Sequence, residues 1–390
     1  MPVVITSAVR TAIGAFQGAF ASVPAPGLGA AAIRDAVARA GLAPEDVDWV
    51  AMGQVLSAGA GMAPARQAAI GAGLPDRTPT VTINKMCGSG LEAIVQGWRA
   101  ITVGDAKVVV AGGQESMSQA PYLIPGARAG LRLGDGALVD SILRDGLVDA
   151  YDGRHMGSCA ESCAVEYVLS RADQDAYAAR SYRRAQAAIA DGRSAREIVP
   201  VEVVGRKGSV VVATDEGPAK VDFDKLPTLR PAFEKSGTVT AGNASTLNDG
   251  AAVVVLMDAD EAARRGAPVR ARIVGHAVHA QAPADFTTAP IGAMRALFDR
   301  TGWAPDEVDL YEVNEAFAVV PMAAARAFGI DEAKMNVLGG AVSLGHPIGA
   351  SGARIVVTLL NALEATGGRR GVAAICIGGG EAWAVAIERG

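Results

Sequence analysis

The chain has 390 residues, half of them apolar and a fifth charged, with a net charge of −5 at pH 7. That is enough apolar sequence for two or three packed units around a large core, and it excludes a disordered or fibrous chain. The basic residues are scattered, which argues against a nucleic-acid partner, and the four cysteines (Cys87, Cys159, Cys163, Cys376) form no extracellular framework, which points to a reducing compartment.

The N-terminus runs straight into a strand-like pattern, Val3-Val4-Ile5, with no signal-peptide segment. No apolar stretch approaches 18 residues, and Glu388-Arg389-Gly390 is neither a peroxisomal nor a lipidation tag. The expectation is a cytoplasmic protein with no membrane partner.

A helical segment, "AIRDAVARAGLAPEDVDWV" from Ala32 to Val50, is followed by a β-branched run, Thr80 to Ile83. Next comes "NKMCGSG", Asn84 to Gly90, and then helical periodicity from Leu91 to Ile101. Cys87 therefore falls on a strand-to-helix corner. A thiolate there is stabilised by unpaired N–H groups and the helix dipole, which lowers its pKa, and Gly88 and Gly90 let a substrate carbonyl approach the Cys87 N–H. The same cysteine can equally be a small buried hydrophobe.

"VVVAGGQE", Val108 to Glu115, reads as a strand ending in a glycine turn, yet its closing strand, "GAAVVVLM", comes only at Gly250 to Met257. The chain between is an insertion, and an insertion at the C-terminal end of a strand is where α/β proteins place substrate-binding structure. Within it, "YDGRHMG" puts His155 before a helix that carries Cys159 and Cys163. Three soft ligands on one stripe with no partner motif argue against a zinc site, so no metal is expected.

The second half repeats the first. Ala32 aligned on Ala293, a shift of 261 residues, superposes Arg34 on Arg295, Arg39 on Arg300, Gly41 on Gly302, Pro44 on Pro305 and Val47-Asp48 on Val308-Asp309. With small slips, Gly88-Ser89-Gly90 meets Ala350-Ser351-Gly352, and Val108 to Glu115 meets "AAICIGGGE", Ala373 to Glu381, whose closing strand Ala382 to Ile387 follows at once. The chain reads as two similar α/β halves. The first spans 1–117, completed by 249–266. The insert spans 118–248, and the second half 267–390.

Packed about a pseudo-two-fold axis, the halves bring their corners together, so His346 in "GHPIGASG" is placed to act as a base on Cys87. Cys376 ends the strand "AAICI" just before Gly378-Gly379-Gly380, where it can exchange protons with a substrate carbon or simply fill the core. The glycine run offers N–H donors to an oxyanion. In "EVNEAFA", Asn314 follows a strand and starts a helix, as an N-cap or as an amide holding a substrate oxygen or a water. His276 and His279 alternate along a strand and read as structural. Walker, dinucleotide and metalloprotease motifs are absent from the sequence.

Taken together, "NKMCGSG", "GGQESMS", "HMG", "AGNASTLNDGAA", "NEAFA", "GHPIGASGA" and "CIGGGEA" resemble the thiolase family in order and spacing over essentially the whole chain. "HMG", preceded by "GLVDAY", looks like the short-chain biosynthetic branch. The resemblance implies a five-layered fold of duplicated α/β halves with an inserted loop domain that binds coenzyme A. It also implies a ping-pong Claisen condensation of two acetyl-CoA to acetoacetyl-CoA and CoA, reversible as thiolysis, with no cofactor beyond these thioester substrates.

By the same resemblance Cys87 carries the acetyl group, His346 activates it, and Cys376 is the acid and base at the α-carbon. Asn314 with His346 forms one oxyanion hole through a water, and the N–H groups of Cys87 and Gly378 form a second. Ser245, Leu147, His155, Met156 and Phe317 line the pantetheine and acyl pocket. Cys159 and Cys163 depart from the family pattern and should be spectators. The segment from Gly217 to Asp222 lacks the arginine often found near the adenine, leaving Lys220 in its place. The linker Gly126 to Gly136 is where relatives pair dimers into homotetramers. Rival readings are a broader-chain 3-ketoacyl-CoA thiolase of fatty-acid degradation, an acyl-CoA carrier without turnover, and a decarboxylating ketosynthase. The carrier should lack one of Cys87, His346 and Cys376, and the ketosynthase should replace Cys376.

Overall fold

A computed structural model describes residues 2–205 and 208–390. In the first half, strand β1 (Val3–Thr11) leads to helix α1 (Ala25–Arg39), β2 (Trp49–Gly53), α2 (Pro64–Gly71), β3 (Thr80–Ile83), α3 (Ser89–Val103) and β4 (Val108–Ser116). The chain then leaves the sheet for a segment containing α4 (Met156–Glu166) and α5 (Arg171–Ala190) and returns as β5 (Asn248–Asp258). The second half runs β6 (Ala271–Ala280), α6 (Ala289–Thr301), β7 (Leu310–Val313), α7 (Val319–Phe328), α8 (Ile348–Thr366), β8 (Arg370–Ile377) and β9 (Glu381–Glu388).

The strand order is β7-β8-β9-β6-β1-β5-β4-β2-β3. Read outward from the β6–β1 junction, the halves repeat one another: β1, β5, β4, β2 on one side and β6, β9, β8, β7 on the other. The halves join where Val4 and Ile5 pair antiparallel with Arg272 and Ala271. Ile198–Val199 of the inserted segment also pairs, parallel to β1, so the insert is tied into the core sheet rather than hanging from one turn.

Alternation along the strands builds the layers, because successive side chains point to opposite faces. On one face Val109, Ala111, Val254 and Leu256 join Ile375, Ile377, Val385 and Ile387 against α3 and α8. On the other, Val108, Val110, Val253 and Val255 meet α1 and α2. In the second half Val372, Ala374, Cys376 and Ala384 meet α6 and α7. The result is five layers: outer helices, half-sheet, central helices, half-sheet, outer helices.

Helix α8 is long and apolar enough by composition to cross a membrane, contrary to the reading that no stretch approaches that length; 89% of its most apolar window is buried. Its position explains this, since a central helix is packed on all sides. Full burial of Ile355, Leu359 and Leu360 contributes about 1.5–3 kcal/mol each. Its duplicate α3 lies alongside, and both helices end on a left-handed glycine, Gly104 (φ 87°) and Gly367 (φ 73°).

Candidate active site

Cys87 lies between β3 and α3, one residue before the N-cap Gly88. Tight bonds hold the corner: Gly88 N–H donates to Lys85 O (3.1 Å), and Ser89 Oγ donates to Met86 O (2.6 Å) while accepting from Lys85 N–H (2.8 Å). Met86 adopts φ 47°, a left-handed conformation unfavourable for a side chain, immediately before the cysteine. In the duplicated corner the matching serine also bonds a nearby carbonyl, Ser351 Oγ donating to Pro347 O (3.0 Å).

The two corners meet through their small residues. A Cβ on Gly90 would lie 2.8 Å from Ala353 N and 3.1 Å from Gly349 O, so α3 and α8 approach closely only because position 90 has no side chain. Across the same junction an ion pair links Lys85, two residues before Cys87, to Glu381 at the end of the glycine turn.

A cavity of about 630 Å³ opens at this junction, and its wall includes Cys87, His346 and Gly378. Cys376 and Asn314 are fully buried and are not part of that wall. Cys376 is nonetheless near enough to Cys87 that negative charge on one thiol disfavours it on the other.

Burial pushes the Cys87 thiol up to about 11, and the Glu115 carboxylate adds to the rise; the N–H groups of Gly378 and of Cys87 itself face the sulfur and pull the other way. The low pKa expected for a helix-start cysteine is therefore not found. Desolvation outweighs the donors because the cysteine is one residue outside the helix and only partly exposed on the cavity wall. Burial likewise holds the Cys376 thiol well above the usual range. Glu115 accepts from the N–H groups of Val55 (3.0 Å), Leu56 (3.2 Å) and Gly349 (2.9 Å), yet burial still raises it to about 7.

The His346 main-chain N–H donates to Asn248 Oδ1 (3.0 Å), and Nδ1 lies 2.6 Å from Ser351 Oγ. Burial, helped by the Arg354 charge, lowers His346 to about 3, so the ring is neutral at pH 7. Nε2 has no protein partner.

Asn314 does not cap a helix: α7 begins only at Val319, and its N-cap is Ala318. Instead Asn314 N–H donates to Ala374 O (2.9 Å), its Oδ1 accepts from Arg354 Nη2 (3.1 Å), and its Nδ2 has no partner. The neighbouring Glu315 is likewise turned inward, accepting from Tyr177, Ser181, Asn336 and Val342.

Ser245, Leu147, His155, Met156, Phe317 and Lys220 all lie on the cavity wall. His155 is the N-cap of α4, accepting from Gly157 N–H (3.0 Å) and stacking on Phe233 with centroids 4.7 Å apart. Lys220 is at the open end, 59% exposed, with Glu216 3.9 Å away. Sequence reading missed Met117, Phe233, Asn248 and Phe286 on the same wall, and Ser351 and Arg354 behind it. For Ser351 a signal existed, its alignment with Ser89 in the duplicate; Phe286 has none, being an isolated aromatic in a loop.

Cys159 and Cys163 are buried in the core, and all four cysteines are free. Among the described residues no three His, Cys, Asp or Glu side chains converge on a point. His276 is wedged between Trp98 and Trp383, with centroids 4.8 and 5.6 Å away, and neither it nor His279 lines the cavity.

Known proteins share this architecture along the whole chain. Residues 3–260 match the family model of the thiolase N-terminal domain, and residues 267–389 that of the thiolase C-terminal domain. The chain is 52% identical to the acetyl-CoA acetyltransferase of Pseudomonas aeruginosa and 50% identical to that of Cupriavidus necator, each alignment covering 99% of both chains. The crystal structure of the Bacillus anthracis acetyl-CoA acetyltransferase, 41% identical, superposes with a TM-score of 0.97 over 100% of this chain and 98% of that one.

Proposed function

The chain belongs to the thiolase family, and from that premise we propose that it is an acetyl-CoA C-acetyltransferase, condensing two acetyl-CoA to acetoacetyl-CoA and CoA and running the reverse thiolysis. The observation that carries this reading is that a cysteine faced by two backbone N–H groups shares one cavity with a neutral histidine whose Nε2 is unpartnered.

In the proposed mechanism His346 Nε2 takes the Cys87 proton, and the thiolate attacks the carbonyl carbon of acetyl-CoA. The oxygen that gains charge faces the N–H groups of Cys87 and Gly378. As the bond to the CoA sulfur breaks, that sulfur takes the proton of Cys376, leaving acetyl-Cys87, a Cys376 thiolate and a protonated His346. A thiol with a pKa this high makes a strong base, so Cys376 then removes a methyl proton from a second acetyl-CoA. His346, together with a water held by Asn314, stabilises the resulting enolate oxygen. The enolate carbon attacks acetyl-Cys87, the carbon–sulfur bond breaks, and the Cys87 sulfur recovers its proton from His346. All groups return to their starting state, and no cofactor enters.

For the substrate contacts we infer that Ser245, Leu147, Met156, His155 and Phe317 hold the pantetheine and acyl portion and that Lys220 meets the nucleotide end; their shared wall supports this. The inserted segment 118–248 acts as the CoA-binding domain in this reading. We also infer a homotetramer, supported by the apolar residues left exposed on the linker, where Leu133 is 101% and Leu131 57% exposed. Its four free cysteines support a cytoplasmic location, and acetoacetyl-CoA formation would place the protein in lipid metabolism.

Supplying acetyl-CoA alone and following CoA release and acetoacetyl-CoA formation tests the activity. A thiolysis series separates it from the broader-chain alternative, which the full-length relatives do not favour. A rate that falls from four carbons onward supports the short-chain reading, and one that rises to eight or more overturns it.

A further inference from the structure

We propose that Arg354 is a positioning residue for this reaction: it sets which way the Asn314 amide faces and thereby creates the donor that serves the enolising thioester. The inference rests on the acyl-transfer reading above.

Arg354 is fully enclosed in the protein, with its side chain 2% exposed. Its Nη1 donates to Glu312 Oε2 and its Nη2 to Asn314 Oδ1, both at 3.1 Å. A guanidinium has donors only, so the group Asn314 turns toward it must be the carbonyl oxygen. The NH₂ group then faces the opposite way, where it is buried without a partner in the protein. A buried, unsatisfied donor is a cost to folding, and such groups are retained where they have another use. Glu312 is the carboxyl group paired with this buried guanidinium, and burial raises it to about 8 even with Arg354 beside it.

The helix explains why Arg354 is in reach. Ser351 and Arg354 are three residues apart on α8 and share one face of it. Ser351 meets His346 Nδ1 and Arg354 meets Asn314 Oδ1, so one helix face directs both groups assigned to the enolate oxygen. The other pair of donors, the N–H groups of Cys87 and Gly378, is main chain and does not depend on it. Losing Arg354 should therefore damage one half-reaction more than the other.

The test compares Arg354→Met and Arg354→Lys with the wild-type protein in two assays. Exchange of labelled CoA into acetyl-CoA reports acetyl transfer through Cys87. Uptake of deuterium into the acetyl-CoA methyl group in D₂O reports enolisation. We expect Arg354→Met to lower methyl exchange by about 10²-fold, the loss typical of one missing oxyanion donor, and CoA exchange by less than about fivefold. Arg354→Lys should recover part of the methyl exchange, and adding Arg354→Met to Asn314→Ala should lower it no further. Equal losses in both assays, or multiplying losses in the double variant, would overturn the proposal. Should Arg354→Met not fold, the ratio of the two losses in Arg354→Lys decides by the same criterion. A wild-type protein that exchanges neither label would overturn the acyltransferase reading instead, leaving the two failures distinguishable.

Discussion

His346 Nδ1 stands 2.6 Å from Ser351 Oγ, and the same hydroxyl lies 3.0 Å from Pro347 O. A hydroxyl has one proton to give. The tautomer that the proposed mechanism requires, with the lone pair on Nε2, has Nδ1 donating to Oγ while the hydroxyl proton goes to the Pro347 carbonyl. Ser351→Ala should release this tautomer and the ring's orientation. We expect turnover to fall about 10- to 10²-fold, a part of what a general base supplies, with KM for acetyl-CoA changed much less. A KM effect that dominates would mean that Ser351 serves binding rather than His346.

The two titrating partners predict the reactivity of the resting enzyme. With Cys87 raised to about 11 and His346 lowered to about 3 by burial, we expect a neutral thiol and imidazole rather than an ion pair before substrate binds. Because the thiolate is the nucleophile, alkylation of Cys87 by iodoacetamide should climb about tenfold per pH unit from pH 6 to pH 9. A rate that levels off below pH 7 would reveal a pre-formed ion pair.

Gly90→Ala tests the meeting of the two halves. The new methyl would stand 2.8 Å from Ala353 N, against backbone that cannot yield as a flexible side chain would. Overpacking of this kind costs about 1–3 kcal/mol. Thermal unfolding should move to lower temperature and activity should fall with it, since the helix that must shift carries Ser351 and Arg354. An unchanged melting temperature would show that the junction is looser than drawn.

Lys220→Ala should have a small effect. The ammonium is largely exposed and already near Glu216, and an exposed charge contributes about 0–1 kcal/mol, so KM for acetyl-CoA should rise by no more than about fivefold with kcat unchanged. A much larger rise would mean that Lys220 is drawn into the bound complex.

Much of the architecture was legible because the sequence carries it twice. The matches from Arg34 and Arg295 through Asp48 and Asp309 fall on corresponding elements of the two halves, and the run Thr80 to Ile83 coincides with a strand. What failed depends on burial and on partners far away in the chain. Asn314 has the composition of a helix cap, but Ala374 and Arg354 claim its groups, and the helix starts five residues later. The Cys87 corner predicts a lowered thiol pKa, while the enclosing protein raises it. No unbroken apolar run in helix α8 reaches 18 residues because Arg354 and Asn361 interrupt it; both are buried there, paired with Glu312 and with Arg193 O. Arg354 escaped notice because its partners, Glu312 and Asn314, are distant in the chain and meet it only when the helix is packed.

The most direct measurement is mass analysis of the peptide containing Cys87 after brief exposure to acetyl-CoA. We expect one acetyl group on Cys87, absent in Cys87→Ala and removed by added CoA. Acetyl found only on Cys159 or Cys163, or a Cys87→Ala protein that still forms acetoacetyl-CoA, would contradict the assignment of Cys87 as the nucleophile.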